Sequence, residues 1–353
     1  MNTEQKMAQE SRAIWTTVIC FIVGTGAGTL MLWGNPRPIA GDGSVGLPAA
    51  FTAAVIAAAS FVVSTFLYRR GEHAAMPRWQ IVISSVSAVA LTIAFAAVTA
   101  LGVLLASEVL GVGLQGLELP ALGGGIITGV AGAIAGRLAF DAGIGLTTSD
   151  LATLLFSFLI IGTLFAMLTA ADPRWWELNF SQLGIGVRGW AFNGTLVVAG
   201  ILIITVGMYI GRDLHRMRGD DSLGKIAAVV LLWAATGVAL AGVGFFPIAE
   251  ILVVHNIAAV STLVLFVAAG TTTTAVMPKR PLPLLLTTTG VALMLVVAFV
   301  LADAFHLYSL TVLEAIVIGL GLLWLTTLVR ILAVFAPQAA RPSARGAVRR
   351  RAR

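Results

Sequence analysis

The sequence predicts an all-α polytopic transmembrane helix bundle of about ten spans, with both termini on the cytoplasmic side, and three observations lead there. First, 58% of the 353 residues are hydrophobic, with 38 glycines besides, and only 11% are charged, against roughly 25% in a soluble domain. Second, the mean hydropathy is +0.98, and the apolar residues fall into runs of the roughly 20 residues that a helix needs to cross a bilayer. Third, lysine and arginine segregate between alternate loops, as cytoplasmic loops require. An ordinary soluble globule is excluded, because no single core could hide so much apolar surface.

Taken in order, the runs are Ile14–Trp33, Leu47–Tyr68, Ile81–Ala106, Leu119–Ala139 and Leu151–Ala171 in the first half. Trp190–Gly211, Ile226–Phe246, Ile248–Gly270, Leu282–Ala302 and Ser309–Phe335 follow in the second. Loops carrying proline, glycine or charge separate them. The first run is too long for a signal-peptide core and lacks a convincing cleavage site, so we expect it to be retained. It holds the chain's one cysteine, Cys20, which has no second thiol to pair with and reads as a small packing residue. The fourth run is the least apolar, but removing it inverts everything downstream. With ten spans the basic residues divide 19 to 3 between cytoplasmic and outer segments, the outer three being Arg37, Arg174 and Arg188. We therefore expect a four-span module over 1–145, a six-span module over 146–336 and a basic cytoplasmic tail over 337–353.

Gly124, Thr128, Gly132 and Gly136 recur at four-residue spacing in the fourth run, with Gly125 and Gly129 beside them and a similar pair, Gly24 and Gly28, in the first. Such stripes let helix backbones approach closely. Two matches to GxGxxG, at Gly111, Gly113 and Gly116 and at Gly184, Gly186 and Gly189, follow no strand of a βαβ unit and are read as chance. Asn193-Gly194-Thr195 fits a glycosylation sequon but falls inside a span. HExxH, CxxC, P-loop and GxSxG signatures are missing from the sequence, so cofactor and metal stay unassigned. The tail Arg341–Arg353 carries six arginines, which suit anionic lipid headgroups; without an aromatic residue to stack on bases, it gives no expectation of nucleic acid.

Polar chemistry gathers on the outer side. After the fifth span come Trp175, Trp176, Glu177, Asn179, Phe180, Ser181 and Gly184. The tryptophans suit a membrane interface, and the polar groups need partners if the loop folds back on the bundle. Pro247 marks a tight turn between the seventh and eighth spans and fits the first turn of the next helix. A helix starting there would put His255 about 12 Å deep, where an ionisable group is a functional candidate and an imidazole can exchange a proton near neutral pH. Asn256 follows it. Asp303 and His306 would share a face if their helix continues, letting the carboxylate orient the imidazole. Glu314 lies one and a half turns into the tenth span and is expected to be paired or protonated. His73 and His215 belong to basic loops and are read as solvated.

These residues carry a resemblance. Trp175-Trp176, Asn179-Phe180-Ser181, Leu183-Gly184, Phe192-Asn193, Gly200, Gly244-Phe245-Phe246-Pro247 and His255 followed by Ala259 resemble the bacterial multi-pass family catalogued as domain of unknown function 998. The resemblance covers Leu151 to Phe335 and implies six spans, with the first four spans an added module. It further implies that the loop of Ser181 and the histidine of the eighth span belong to one site. The family is similar, more distantly, to eukaryotic lipid-anchor and autophagy-related membrane proteins, and brings no settled activity. Membrane hydrolases that hold zinc with three histidines and an aspartate offer an analogy from which this sequence departs, having two outer-side histidines and no HxxxH pair.

The leading functional reading is lipid handling or small-solute transport through an outer-facing polar cavity lined by Glu177, Asn179, Ser181, His255, Asp303, His306 and Glu314. A membrane-embedded hydrolase or transferase is the alternative, with His255, His306 and Asp303 binding a metal or acting as acid and base while Ser181 or water attacks. A scaffold subunit docking a membrane partner through its glycine-lined helices is a third reading. A haem between His255 and His306 is a fourth, and unequal depth argues against it. The expected location is a bacterial inner or plasma membrane, among membrane lipids.

Overall fold

The computed structural model describes residues 3–69, 78–219, 222–279 and 281–335. The arginine-rich tail and His73 lie outside the described residues. Ten helices account for most of the described chain: α1 Thr3–Met31, α2 Gly46–Arg69, α3 Arg78–Gly113, α4 Ala121–Ile144, α5 Thr148–Leu168, α6 Trp190–Arg218, α7 Leu223–Phe245, α8 Leu252–Val276, α9 Leu282–Asp303 and α10 Leu310–Phe335. Each contains a stretch long and apolar enough to cross a membrane. A helix is the form such residues must take in lipid, since it satisfies every backbone N–H and C=O within the segment.

The helix ends follow local chemistry. Thr147 and Asp150 form a reciprocal capping box at the start of α5, with the Thr147 N–H donating to Asp150 Oδ2 at 2.9 Å and the Asp150 N–H to Thr147 Oγ1 at 3.1 Å. α6 runs past Gly211 through Arg212–Arg218, because charged side chains do not break a helix; it stops at Gly219, whose φ of +70° favours glycine. α8 starts later than its hydropathy suggests. Pro247 opens a turn closed by Glu250 N–H and Ile251 N–H donating to its carbonyl at 3.0 and 3.1 Å, and regular helix begins only at Leu252.

The chain divides into two compact units, meeting in sequence between Leu146 and Thr147. In the first, α4 packs against both α1 and α2, and α3 packs on α2. The glycine stripe makes this possible. A Cβ on Gly24 would stand 2.9 Å from the Cα of Gly129, and one on Gly28 would stand 2.6 Å from the Cβ of Thr128. On the α2 side, Gly132 faces Ile56 and Gly143 faces Ser64. Cys20 is buried beside Gly136, its sulfur 3.4 Å from Ser60 Oγ. A two-residue ribbon, β1 Arg37–Pro38 antiparallel to β2 Glu118–Leu119, ties together the α1–α2 and α3–α4 connections. Beside it lies a cleft of about 460 Å³ lined in part by Ile39, Glu108, Gly111 and Gly116. Gly111 and Gly113 are the last turn of α3, so this GxGxxG match is no strand-to-helix phosphate loop.

In the second unit α6 is the most enclosed helix and α8 the least. α6 crosses α7 where Gly200 and Gly237 face each other's backbone carbonyls, leaving no room for a Cβ on either. Trp233 of α7 and Trp324 of α10 stack with centroids 6.1 Å apart, and Phe266 of α8 meets both rings edge-on. Their indole N–H groups donate to Thr273 Oγ1 at 3.1 Å and Thr288 Oγ1 at 2.8 Å. A buried indole without such a partner would cost stability, so these threonines from α8 and α9 help to hold the unit together.

Candidate functional site

One end of the six-helix unit carries Trp175, Pro247 and Tyr308; the opposite end carries Arg212, Arg216 and Arg218. At the tryptophan end, the chain between α5 and α6 folds into a cap of two 310 turns, Trp175–Glu177 and Phe180–Gly184. Asp172 starts it by accepting from the Arg174 N–H at 2.8 Å, the local turn an aspartate before proline favours. Leu183 packs with Ala166 of α5 and Phe192 of α6, and Phe180 and Trp175 lean on the same cluster, their rings 5.2 Å apart. These apolar side chains press the cap onto the helix ends.

Four side-chain hydrogen bonds then fix it. Thr311 Oγ1 of α10 donates to the Trp176 carbonyl at 2.8 Å, and Glu314 Oε2, one turn further along the same face, accepts from the Phe180 N–H at 2.7 Å. Asn193 Nδ2 of α6 donates to the Gly184 carbonyl at 3.0 Å. A Cβ on Gly184 would collide with that amide, so glycine is required here. Ser181 Oγ lies 2.9 Å from His255 Nε2 of α8.

The other nitrogen of His255 decides the direction of that last bond. Nδ1 stands 2.9 Å from the Phe246 carbonyl and 3.2 Å from the Val243 carbonyl, both at the end of α7. Carbonyls only accept, so Nδ1 carries the proton in the neutral ring, Nε2 offers its lone pair, and Ser181 O–H is the donor. The histidine is 3% exposed. Because α8 begins at Leu252, it lies only about 4.5 Å along the axis of the regular helix from that start, beyond the separate turn that Pro247 opens.

The structure thus brings together Asn179, Phe180, Ser181, Gly184, Asn193, His255 and Glu314, with Trp175 packed alongside and Pro247 shaping the neighbouring turn. Asn179 Oδ1 is buried without a hydrogen-bond donor among the described residues, a state that folded proteins keep rare. Glu177, Asp303 and His306 are exposed instead. α9 ends at Asp303 and His306 takes a φ of +49° beyond it, so the shared helical face expected of this pair does not form. Asn256 is exposed, because the residue after His255 is turned about 100° around α8. Among the described residues no group of three or more His, Cys, Asp or Glu could hold a metal. For the haem arrangement, His255 has its lone pair engaged by Ser181.

Some participants escaped the sequence reading. Thr311 precedes Glu314 by three residues, and that spacing is the signal that would have found it. The carbonyls of Val243 and Phe246 leave no sequence signal. At the arginine end, Arg212 and Asp213 form a buried ion pair, their side chains 4% and 3% exposed, with Nη2 2.6 Å from Oδ1. Thr148 Oγ1 donates to Asp213 Oδ2, Arg216 stands 3.9 Å from Oδ1, and the Arg212 guanidinium lies 4.5 Å from the Tyr209 ring centroid.

Ten apolar helices and a polar, hydrogen-bonded cap at helix ends define the class: this is a multi-pass integral membrane protein. Residues 151–331, just over half of the chain, match the model of the family described as "Protein of unknown function (DUF998)", and the chain belongs to that family. The matched segment takes in α5 through most of α10 and the whole cap. No curated protein and no solved structure matches the chain.

Proposed function

We propose that the six-helix unit handles a lipid or a small amphiphilic solute, receiving its polar headgroup at the capped end. One observation carries this reading. Side chains from α6, α8 and α10 converge on one short cap, around the Ser181–His255 hydrogen bond, and leave the buried Asn179 Oδ1 as an acceptor in need of a donor. Polar groups spent only on holding a loop would satisfy one another; an orphaned acceptor suits a ligand that brings an O–H or N–H. The surroundings support a lipid-borne one: Trp176 and Leu178 are 55% and 58% exposed on the cap, as suits a membrane interface.

The distribution of basic residues supports a threading with both termini in the cytoplasm and the cap on the outer side of a bacterial inner or plasma membrane. In that orientation the Arg341–Arg353 tail would meet anionic headgroups on the other face. A membrane partner, if one is present, would copurify in the experiment that tests the proposal. Wild-type and His255→Ala proteins are extracted into native-lipid nanodiscs and their retained lipids compared by mass spectrometry. An enriched lipid class lost in the variant is the expected result. Identical lipid profiles that match the bulk membrane would refute the reading.

A further inference from the structure

The Ser181–His255 pair resolves, atom by atom, into the parts of an activated serine. Covalent catalysis by serine needs a hydroxyl that donates to a neutral imidazole, and a third group that holds the imidazole in the correct tautomer and steadies it once protonated. Here Ser181 Oγ lies 2.9 Å from Nε2, and the carbonyls of Phe246 and Val243, 2.9 and 3.2 Å from Nδ1, occupy the third place. Those two carbonyls fix the tautomer of the neutral ring, so that Nε2 presents its lone pair to the Ser181 hydroxyl. Ser181 is half-buried whereas His255 is 3% exposed, so the nucleophile is the more open member of the pair.

The geometry points to Ser181 as a nucleophile that accepts an acyl group from a carboxylic ester of a membrane lipid, with His255 as its general base; this rests on the lipid-handling reading above. The chemical class follows from the site. Among the described residues, the side chains shown bonded at the cap are the Ser181 hydroxyl, the His255 imidazole, the Asn193 amide and the Glu314 carboxyl. That set suits a neutral ester carbonyl better than a phosphodiester, which guanidinium or ammonium groups ordinarily hold. The level also fits, since His255 stands one turn into α8 beside an interfacial cap, where the ester linkages of a bilayer lipid lie.

The step balances without an oxidant or cofactor. Ser181 Oγ adds to the ester carbonyl carbon as its proton passes to Nε2. The adduct collapses by breaking the bond between that carbon and the alcohol oxygen, and Nε2 returns the proton to the departing alcohol. Water, or the hydroxyl of a second lipid, then gives its proton to Nε2 and attacks the acyl-serine; the acid or new ester leaves, and Ser181 recovers its proton.

The test uses the full chain in phospholipid nanodiscs, treated with an alkyl fluorophosphonate and followed by intact mass and peptide mapping. A single adduct on Ser181 is expected, absent in Ser181→Ala and forming about 100-fold more slowly in His255→Gln, the lower end of what a general base supplies. An unlabelled Ser181 in monodisperse, helical wild-type protein would overturn the inference whatever the variants do. Equal labelling rates in wild type and His255→Gln would overturn the role of the base. A histidine-dependent lipid retained alongside an unlabelled serine would sink the nucleophile and leave lipid handling standing; failure of both measurements would remove both.

Discussion

Replacing Glu314 by alanine tests directly how the cap is held. Its carboxyl accepts from the Phe180 N–H at 2.7 Å, one residue before the serine that meets His255. A hydrogen bond to an ionised group contributes about 1.5–3 kcal/mol in soluble proteins, while polar contacts within membranes average nearer 0.6 and reach about 1.7. Glu314 is half-buried at the end of its helix, so a loss of about 1–2 kcal/mol is reasonable for opening this part of the cap. Since 1.4 kcal/mol is a factor of ten in an equilibrium, the Phe180 amide should exchange with deuterium about 5- to 30-fold faster in Glu314→Ala, wherever exchange follows local opening. Glu314→Gln keeps a carbonyl acceptor and should give the smaller part of that rise. Exchange by mass spectrometry on a peptide spanning 178–184, with one from the middle of α6 as control, reads the effect. Protection of that segment within twofold of wild type would refute the proposed hold, and an equal rise in the control would show that the variant loosens the whole unit.

Other substitutions probe the packing. Gly184→Ala should release the Asn193 tie, because its Cβ meets the very amide that binds the Gly184 carbonyl; Gly184→Ala with Asn193→Ala should exchange no faster than the worse single variant. Asp213→Asn should destabilise the six-helix unit by about 3–5 kcal/mol, since it leaves Arg212 buried without its counter-charge, whereas the double variant with Arg212→Met should recover at least half of that loss. Denaturation by sodium dodecyl sulfate in mixed micelles measures both. Gly129→Val should lower the thermal midpoint of the four-helix unit by several degrees, as overpacking of about 1–3 kcal/mol predicts; Gly26→Val, where a Cβ would find nothing within 4 Å, should leave it unchanged.

The contrast between what was legible and what was not is plain around His255. Its helix was readable as an apolar run, but the point where regular helix starts was not, because that depends on whether Pro247 opens the helix or a separate turn. Either choice satisfies proline's missing N–H; the turn prevails, with Glu250 and Ile251 N–H groups closing on the Pro247 carbonyl. Asp303 and His306 fail to share a face for a similar reason, since a spacing of three aligns side chains only while the helix lasts. The sixth apolar run ends at Gly211, yet α6 continues through Arg212 and Asp213, which are buried where Thr148 bonds Asp213 and the Tyr209 ring faces Arg212.

The sequence by itself determined that this is a ten-helix membrane protein, and it determined the glycines that let α1 and α4 approach. Hydropathy and residue size are properties of each residue and its near neighbours, and lipid tolerates only closed backbone hydrogen bonding. Tertiary structure alone decided that Ser181 donates to His255, that Glu314 and Thr311 hold the cap, and that Asp303, His306 and Asn256 stand apart from it. Those outcomes depend on partners far apart along the chain, 74 residues for Ser181 and His255 and 134 for Phe180 and Glu314, brought into contact by packing that no local pattern encodes.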